Sequence, residues 1–489
     1  MTERSRMMMW CGLALPVLGA IIWLSNHVKD LGFRIADVMP PYYTLELELD
    51  YVMGLLWWSL LALALLALGG ESRRLLIIGW IGKFFVALVA ALFYEYLYGL
   101  DALAYFLLAV TGEHDWYPGH DFRQDMMLSF VSDPTVNRGN IGQDNTLRIM
   151  LMIAGVTGVY YHAMKVLCTF LGFLGIWWFY RSAVVALGRP CPPIFYLLAF
   201  FPSIIFWSTA LGKDPIQFFF LGLYVYGGTV WFIHGGGLAL ALTAIGLLGS
   251  YVMRPWQAFM AGGVLVIAAF AGRLRAGQAI LMVVVLVPIL VFTGSNILTN
   301  FGLQDVFQAQ GAAAMQEIIL DMMQKKAAGY AYETQRYGGA GADFGELDPG
   351  SGMVITPSLP MVIFSGLFRP LPNDITNPLT ALAAAENTLL LGLAFIALVK
   401  FRLRYLRDPL VVWAGSYCLA WAVLYGIIVM ANFGAGARYK LQMWPFAILL
   451  LAMLLTRQGR AWLDERAASR RASFDVTAQG AGTHAVSVS

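Results

Sequence analysis

Residues 410–431 read LVVWAGSYCLAWAVLYGIIVMA, twenty-two positions without one charged side chain. At ~1.5 Å of rise per residue this run is about 33 Å long as a helix, enough to cross the hydrocarbon core of a bilayer. Lipid offers no partner to an open backbone amide, so a helix is the structure such a run must take there. Charge gathers on both sides of it. Lys400, Arg402, Arg404 and Arg407 precede the run, and Arg438 and Lys440 follow it.

Outward from this segment the pattern repeats. Neighbouring apolar stretches fall at 384–399 and 443–456, and others at 7–25, 51–69, 75–97, 159–180, 193–210, 215–233, 237–252, 257–271 and 277–294. Several are short for a ~30 Å core; 237–252 and 257–271 flank an Arg-Pro and are expected to tilt or to form a hairpin. Over 489 residues the chain is 59% hydrophobic and 12% charged, against about a quarter charged in a soluble domain. That excludes a soluble enzyme, a coiled coil and a disordered scaffold. The fold class is all-α, a polytopic membrane protein of about twelve transmembrane helices.

Net charge is +3, too little to argue for nucleic acid. Cys11, Cys168, Cys191 and Cys418 have no CxxC or CxxH spacing and read as small core residues. With the N-terminus in the cytoplasm, one face collects 17 Lys/Arg in short loops, from Arg4 and Arg6 through Arg73, Arg74, Arg181, Arg189, Arg273 and Arg275 to the 400–407 and 457–471 clusters. The opposite face holds 13 in far longer ones. The positive-inside rule therefore sets both termini in the cytoplasm. Three outer segments are long: 26–50, 98–158 and 295–383. In the first, Leu45–Asp50 alternates apolar and acidic residues as an interfacial helix or strand does. Part of 139–158 is expected to lie along the membrane surface. The tail 457–489 is cytoplasmic and expected to be disordered.

Outer-face loops of this length are where a membrane protein places its function. The third stretch ends in Phe93-Tyr-Glu-Tyr-Leu-Tyr-Gly-Leu-Asp101, placing a carboxylate at the membrane boundary among tyrosines. There Asp101 can take a proton from a hydroxyl acceptor, or simply end a helix beside an aromatic belt. A second turn, Phe201-Pro-Ser-Ile-Ile-Phe-Trp-Ser-Thr-Ala-Leu-Gly-Lys213-Asp214-Pro, carries an adjacent cation and anion. Lys213 can face a phosphate, with Asp214 orienting it or capping the next helix. Arg254 before Pro-Trp, Arg369 in Leu-Phe-Arg-Pro-Leu-Pro, and Arg438 with Lys440 also fall on the outer face, against the positive-inside bias. Snorkelling accounts for any one of them; together they suggest a converging anion pocket. His114 and His120, with Glu113, Asp115 and Asp121, leave a divalent metal possible, but no metal-ligand spacing requires one. No Walker loop, dinucleotide fingerprint or nucleophile elbow is present, and no cofactor is called for.

These motifs, with Glu386 in a later stretch and a final Arg-Tyr-x-Leu…Pro loop, resemble polytopic proteins of bacterial surface-polysaccharide clusters that are akin to GT-C glycosyltransferases. The resemblance covers most of 75–456 and implies a two-helix N-terminal extension over 1–74. It implies transfer at the extracytoplasmic face of the bacterial inner membrane from a polyprenyl-phosphate-linked sugar to a glycan, lipid or protein acceptor, with membrane lipids as surroundings and no nucleic acid. Asp101 would be the base, and Arg254, Arg369, Arg438 and Lys440 the phosphate cradle. GT-C enzymes usually carry the key Asp after the first span, so Asp37, Glu46, Glu48 and Asp50 remain alternative bases. Two other readings stay open: an O-antigen-polymerase-like or ligase-like transferase of lipid-linked oligosaccharide, and a transporter of lipid-linked saccharide. Within 295–383, an amphipathic pattern over 306–326, a Gly-rich stretch at 338–352 and a Pro-rich return suggest a lid, or a passive surface loop.

Overall fold

The computed structural model describes residues 47–90, 141–271 and 358–468, with a few isolated positions between them. Every regular element among these residues is helical. Five helices are long and apolar enough to cross a membrane, six if one bent pair counts as a single span. The chain is thus a helical membrane protein. Its expected stretches at 7–25 and most of 277–294, the outer segments 98–140 and 295–357, and the tail beyond 468 lie outside the described residues.

The residues divide into two compact units: Met1–Phe130, Asp144–Phe173 and Ser208–Ile216 in the first, and Val131–Gln143, Leu174–Trp207 and Gln217–Ser489 in the second. In the first, α1 (Leu47–Leu68) packs on α2 (Arg73–Phe85). Trp58 stacks on Trp80, and Trp80 in turn meets Phe170 edge-on at 5.6 Å. A Cβ on Gly54 would lie 2.8 Å from the His162 Cβ, so glycine is what admits the close approach of the chain at His162. α3 (Ile141–Thr157) realises part of the apolar 139–158 segment as a helix, with Leu147 and Met150 buried and Met152 and Val156 exposed.

α4 (Tyr161–Leu187) is followed by α5 (Pro192–Phe200) and α6 (Pro202–Trp207). The stretch 193–210 is therefore not one helix. Pro202 lacks the amide that would continue α5, and the chain turns there through an extended Phe201. α7 (Lys213–His234), α8 (Gly237–Met253) and α9 (Pro255–Ala271) follow closely on the expected stretches, with the α8–α9 break at Arg254-Pro255. After α10 (Leu359–Phe368) come α11 (Pro378–Lys400), α12 (Pro409–Ala431), α13 (Phe433–Lys440) and α14 (Trp444–Leu455).

Local chemistry explains where the last group begins. Asn377, Asp408 and Asn432 each accept a backbone N–H of the helix that follows, and Pro378 and Pro409 occupy first-turn positions that need no donor. α12 is the axis of the second unit. Trp413, Tyr417, Trp421 and Tyr425 recur every four residues on one buried face. Three of these four have their polar atoms engaged: the Trp413 indole donates to the Tyr224 hydroxyl (2.9 Å), the Tyr417 hydroxyl accepts from Gln257 (3.0 Å) and the Tyr425 hydroxyl from Trp256 (2.7 Å). Such bonds tie helices together where lipid and protein are equally apolar. α10 crosses α12 with backbones almost touching: a Cβ on Gly426 would sit 2.2 Å from the Val362 carbonyl oxygen, and one on Gly366 2.8 Å from that of Ala422.

Candidate functional site

The cations expected at the outer face of the second unit gather around α13. This helix is short and starts at the Asn432 cap, whose side chain accepts the Ala435 N–H at 2.8 Å. It ends where the chain bends by 60° into α14. Arg254, held in an extended conformation at the α8–α9 break, lays its guanidinium 4.6 Å over the Tyr439 ring and beside the Tyr425 hydroxyl. Arg438 extends from α13 over Trp207, at 5.8 Å. Arg369, at the end of α10, stands 5.0 Å over Phe433. An arginine over a ring face keeps its in-plane donors available while the ring stabilises its charge.

Lys440 behaves differently. It is buried, and its ammonium donates to the carbonyls of Leu367 (3.1 Å) and Arg369 (2.7 Å) and to the Asn387 amide oxygen (2.7 Å). Three donors meet three acceptors, which completes the capacity of an ammonium group. The sequence reading placed Lys440 directly in a phosphate cradle; here its donors are committed to the chain. The physical reason is local. The last carbonyls of α10 lack intrahelical partners, and a cation is favoured at that end of a helix.

Two carboxylates balance the cluster. Asp374 takes two bonds from Arg369, Nε at 3.0 Å and Nη2 at 2.5 Å, and one from the Leu371 amide at 2.8 Å. Burial alone would raise the Asp374 carboxyl, but the bonds from Arg369 and Leu371 and the guanidinium charge hold it below the usual carboxylate range. Glu386 is buried in α11, where it accepts the Ser203 amide (2.8 Å) and the Ser203 hydroxyl, and its charge acts on Lys440. The turn linking α10 to α11 contains a cis Arg369-Pro370 bond.

Glu386, Asn387 and Asp374 have no role in the sequence reading, in which Glu386 serves only as a landmark of the resemblance. A signal was present: Ala-Ala-Ala-Glu386-Asn387-Thr interrupts an apolar run, and an ionisable residue within a membrane helix is a functional candidate by default.

Lys213 and Asp214 open α7 in the first unit, in the first-turn position where an acidic residue is favoured; Asp214 is buried. Asp101 lies outside the described residues, as do His114, His120, Asp37 and Glu46. Asp50, another candidate base, is buried in the first turn of α1. Its carboxylate accepts the His162 amide at 3.1 and 3.4 Å, a capping role at the start of α4. Leu47–Asp50 is the beginning of a long helix, the helical one of the two forms expected there. Cys168, Cys191 and Cys418 carry free thiols, and among the described residues no three His, Cys, Asp or Glu are grouped to hold a metal.

The class these features define is a helical membrane protein whose second unit carries a cluster of arginines, aromatic rings and buried carboxylates. No family model, curated protein or solved structure matches the chain.

Proposed function

We propose that the protein is a membrane glycosyltransferase of GT-C-like organisation, with about twelve spans and both termini in the cytoplasm of a bacterial cell. It takes a sugar from a polyprenyl phosphate at the extracytoplasmic face of the inner membrane and passes it to a glycan, lipid or protein hydroxyl. The observation that supports this reading is that Arg254 and Arg369 lie over rings of α13, the short helix that itself carries Arg438. Arginines directed by aromatic rings and by a carboxylate are suited to recognise a phosphate ester bidentately. In the transfer, the acceptor oxygen bonds to the anomeric carbon as the sugar–phosphate bond breaks. The electron pair of that bond leaves with the phosphate, and the arginines offset the charge growing there. Asp101 takes the acceptor's proton; Lys213 and Asp214 assist at the turn they share. Displacement in one step inverts the anomeric centre.

The test is transfer of radiolabelled sugar from a polyprenyl phosphate in proteoliposomes, with Asp101→Asn beside the wild type. Loss of a general base lowers the rate about 10²–10⁴-fold. An Asp101→Asn protein that is inserted, monodisperse and as fast as wild type removes Asp101 from the mechanism. Absence of any transfer by the wild type overturns the reading as a whole. Product length is read in the same assay: one added sugar supports it, a ladder of repeat units points to a polymerase.

A further inference from the structure

The Arg369 guanidinium is held from two directions. From the side, Asp374 takes Nε and one hydrogen of Nη2. From behind, the backbone that carries Arg369 is fixed at three carbonyls within four residues: Lys440 holds those of Leu367 and Arg369, and the Asn387 amide nitrogen donates to that of Pro370 at 3.1 Å. Lys440 and Asn387 also bond each other at 2.7 Å, so the two act as one bracket. Glu386, itself fixed by Ser203, supplies the charge that allows a buried ammonium there.

A guanidinium has five N–H donors on two bidentate edges. Asp374 closes the side edge. The end edge, formed by Nη1 and the second Nη2 hydrogen, meets no acceptor among the described residues, and the Arg369 side chain retains 19% exposure. We infer that Lys440 and Asn387 are positioning residues which aim this end edge at a phosphate-type oxyanion, with Lys440 touching no ligand itself. The inference rests on the anion-binding part of the proposed function and revises the role of one of its residues. It separates two jobs that the residue types alone would merge: Arg369 contacts the anion, and Lys440 acts through the backbone.

The experiment measures equilibrium binding to the full chain in nanodiscs, so it does not depend on sugar transfer. The probes are farnesyl phosphate, farnesol and inorganic phosphate. Farnesol reports the lipid contribution alone, and inorganic phosphate separates a lipid-borne anion from a soluble one. Arg369→Gln is expected to weaken farnesyl phosphate about tenfold or more while leaving farnesol unchanged. Lys440→Met weakens farnesyl phosphate to a similar extent in the wild-type background and adds nothing in Arg369→Gln, because both act through one group. Additive losses in the double variant mean that Lys440 contacts the ligand directly, and they overturn the positioning role. Unchanged farnesyl phosphate affinity in Arg369→Gln overturns the end-edge site, even if wild-type protein transfers sugar. Should Lys440→Met fail to insert, Asn387→Leu removes the other arm of the bracket and is read against the same background. If no sugar transfer is found but the binding pattern holds, the anion site stands and the glycosyltransferase reading alone falls.

Discussion

At the N-terminal end of α12, Arg402 and Arg404 pair with Asp464 at 3.5 and 2.6 Å, and Arg466 pairs with Asp408 at 2.8 Å. At its C-terminal end the cations are Arg369, Arg438 and Lys440, and Arg254 leans on the same helix turn. Their settings are ring faces, backbone carbonyls, an amide and two carboxylates held by further bonds. At the first end the Asp464 pairs are wet, with Arg402 and Asp464 59% and 38% exposed, and wet pairs of this kind contribute little to stability; only Asp408, beneath Arg466, is buried there. The second is largely buried, with Arg254 and Lys440 1% and 2% exposed. Burying a charge is expensive unless every donor is met, which is what the Lys440 bracket accomplishes. Cations at the two ends of one helix are therefore held differently: by ion pairs with Asp464 and Asp408 at one, by ring faces, backbone carbonyls and buried side chains at the other.

The comparison can be broken most directly by activity. Arg438→Gln is expected to lower sugar transfer about 10²-fold or more, as loss of a donor to developing charge does elsewhere, whereas Arg404→Gln leaves it within about twofold of wild type. Equal losses at the two ends would dissolve the distinction. The next effect is on packing. Gly426 lies near the C-terminal end with the Val362 carbonyl against it, while nothing stands within 4 Å of a Cβ on Gly415. Gly426→Val should destabilise by about 1–3 kcal/mol in denaturant unfolding from mixed micelles, and Gly415→Val by far less.

Asp408→Ala removes both a cap on the Leu410 amide and the partner of Arg466. It should lower stability by about 1 kcal/mol in the same unfolding measurement without altering transfer. pH sharpens the contrast from the other side. Asp374 is a carboxyl held low by Arg369, so its stabilisation is complete above the unfolded value of roughly 3.9 and disappears as pH falls through the folded one. Wild type should lose thermal stability on acidification below that value more steeply than Asp374→Asn, in melts recorded from pH 7 to pH 3. The smallest effect belongs to Asp464→Asn, a change at an exposed pair expected to alter stability by under about 1 kcal/mol.

Much of this architecture is legible in the residues alone. Apolar length marks α4, α7, α11 and α12 because a bilayer imposes one thickness and one hydrogen-bonding solution. Asn377-Pro378 and Asp408-Pro409 mark helix starts because a side-chain acceptor and a ring without an amide both suit the first turn. Arg254, Arg369 and Arg438 stand out because they fall on the face expected to be outer, where the positive-inside rule disfavours cations. The division of 193–210 at Pro202 was open to the same reasoning, since a proline inside an apolar run ends the helix before it.

What tertiary structure alone decided is which groups meet. Lys440 and Asn387 are 53 residues apart, and Ser203 and Glu386 183; no local pattern links such pairs. Type and spacing identify Lys440 as a cation near a membrane boundary and stop there. Its assignment to the carbonyls ending α10, instead of to a phosphate, depends on α10 crossing α12 at Gly366 and Gly426 closely enough to bring those carbonyls within reach. The sequence by itself determined a helical membrane protein with cations in unexpected places. Only the packed helices decided which of those cations is held by the chain and which edge of Arg369 meets no acceptor among the described residues, because a hydrogen bond is settled by distances of a few tenths of an ångström that composition does not carry.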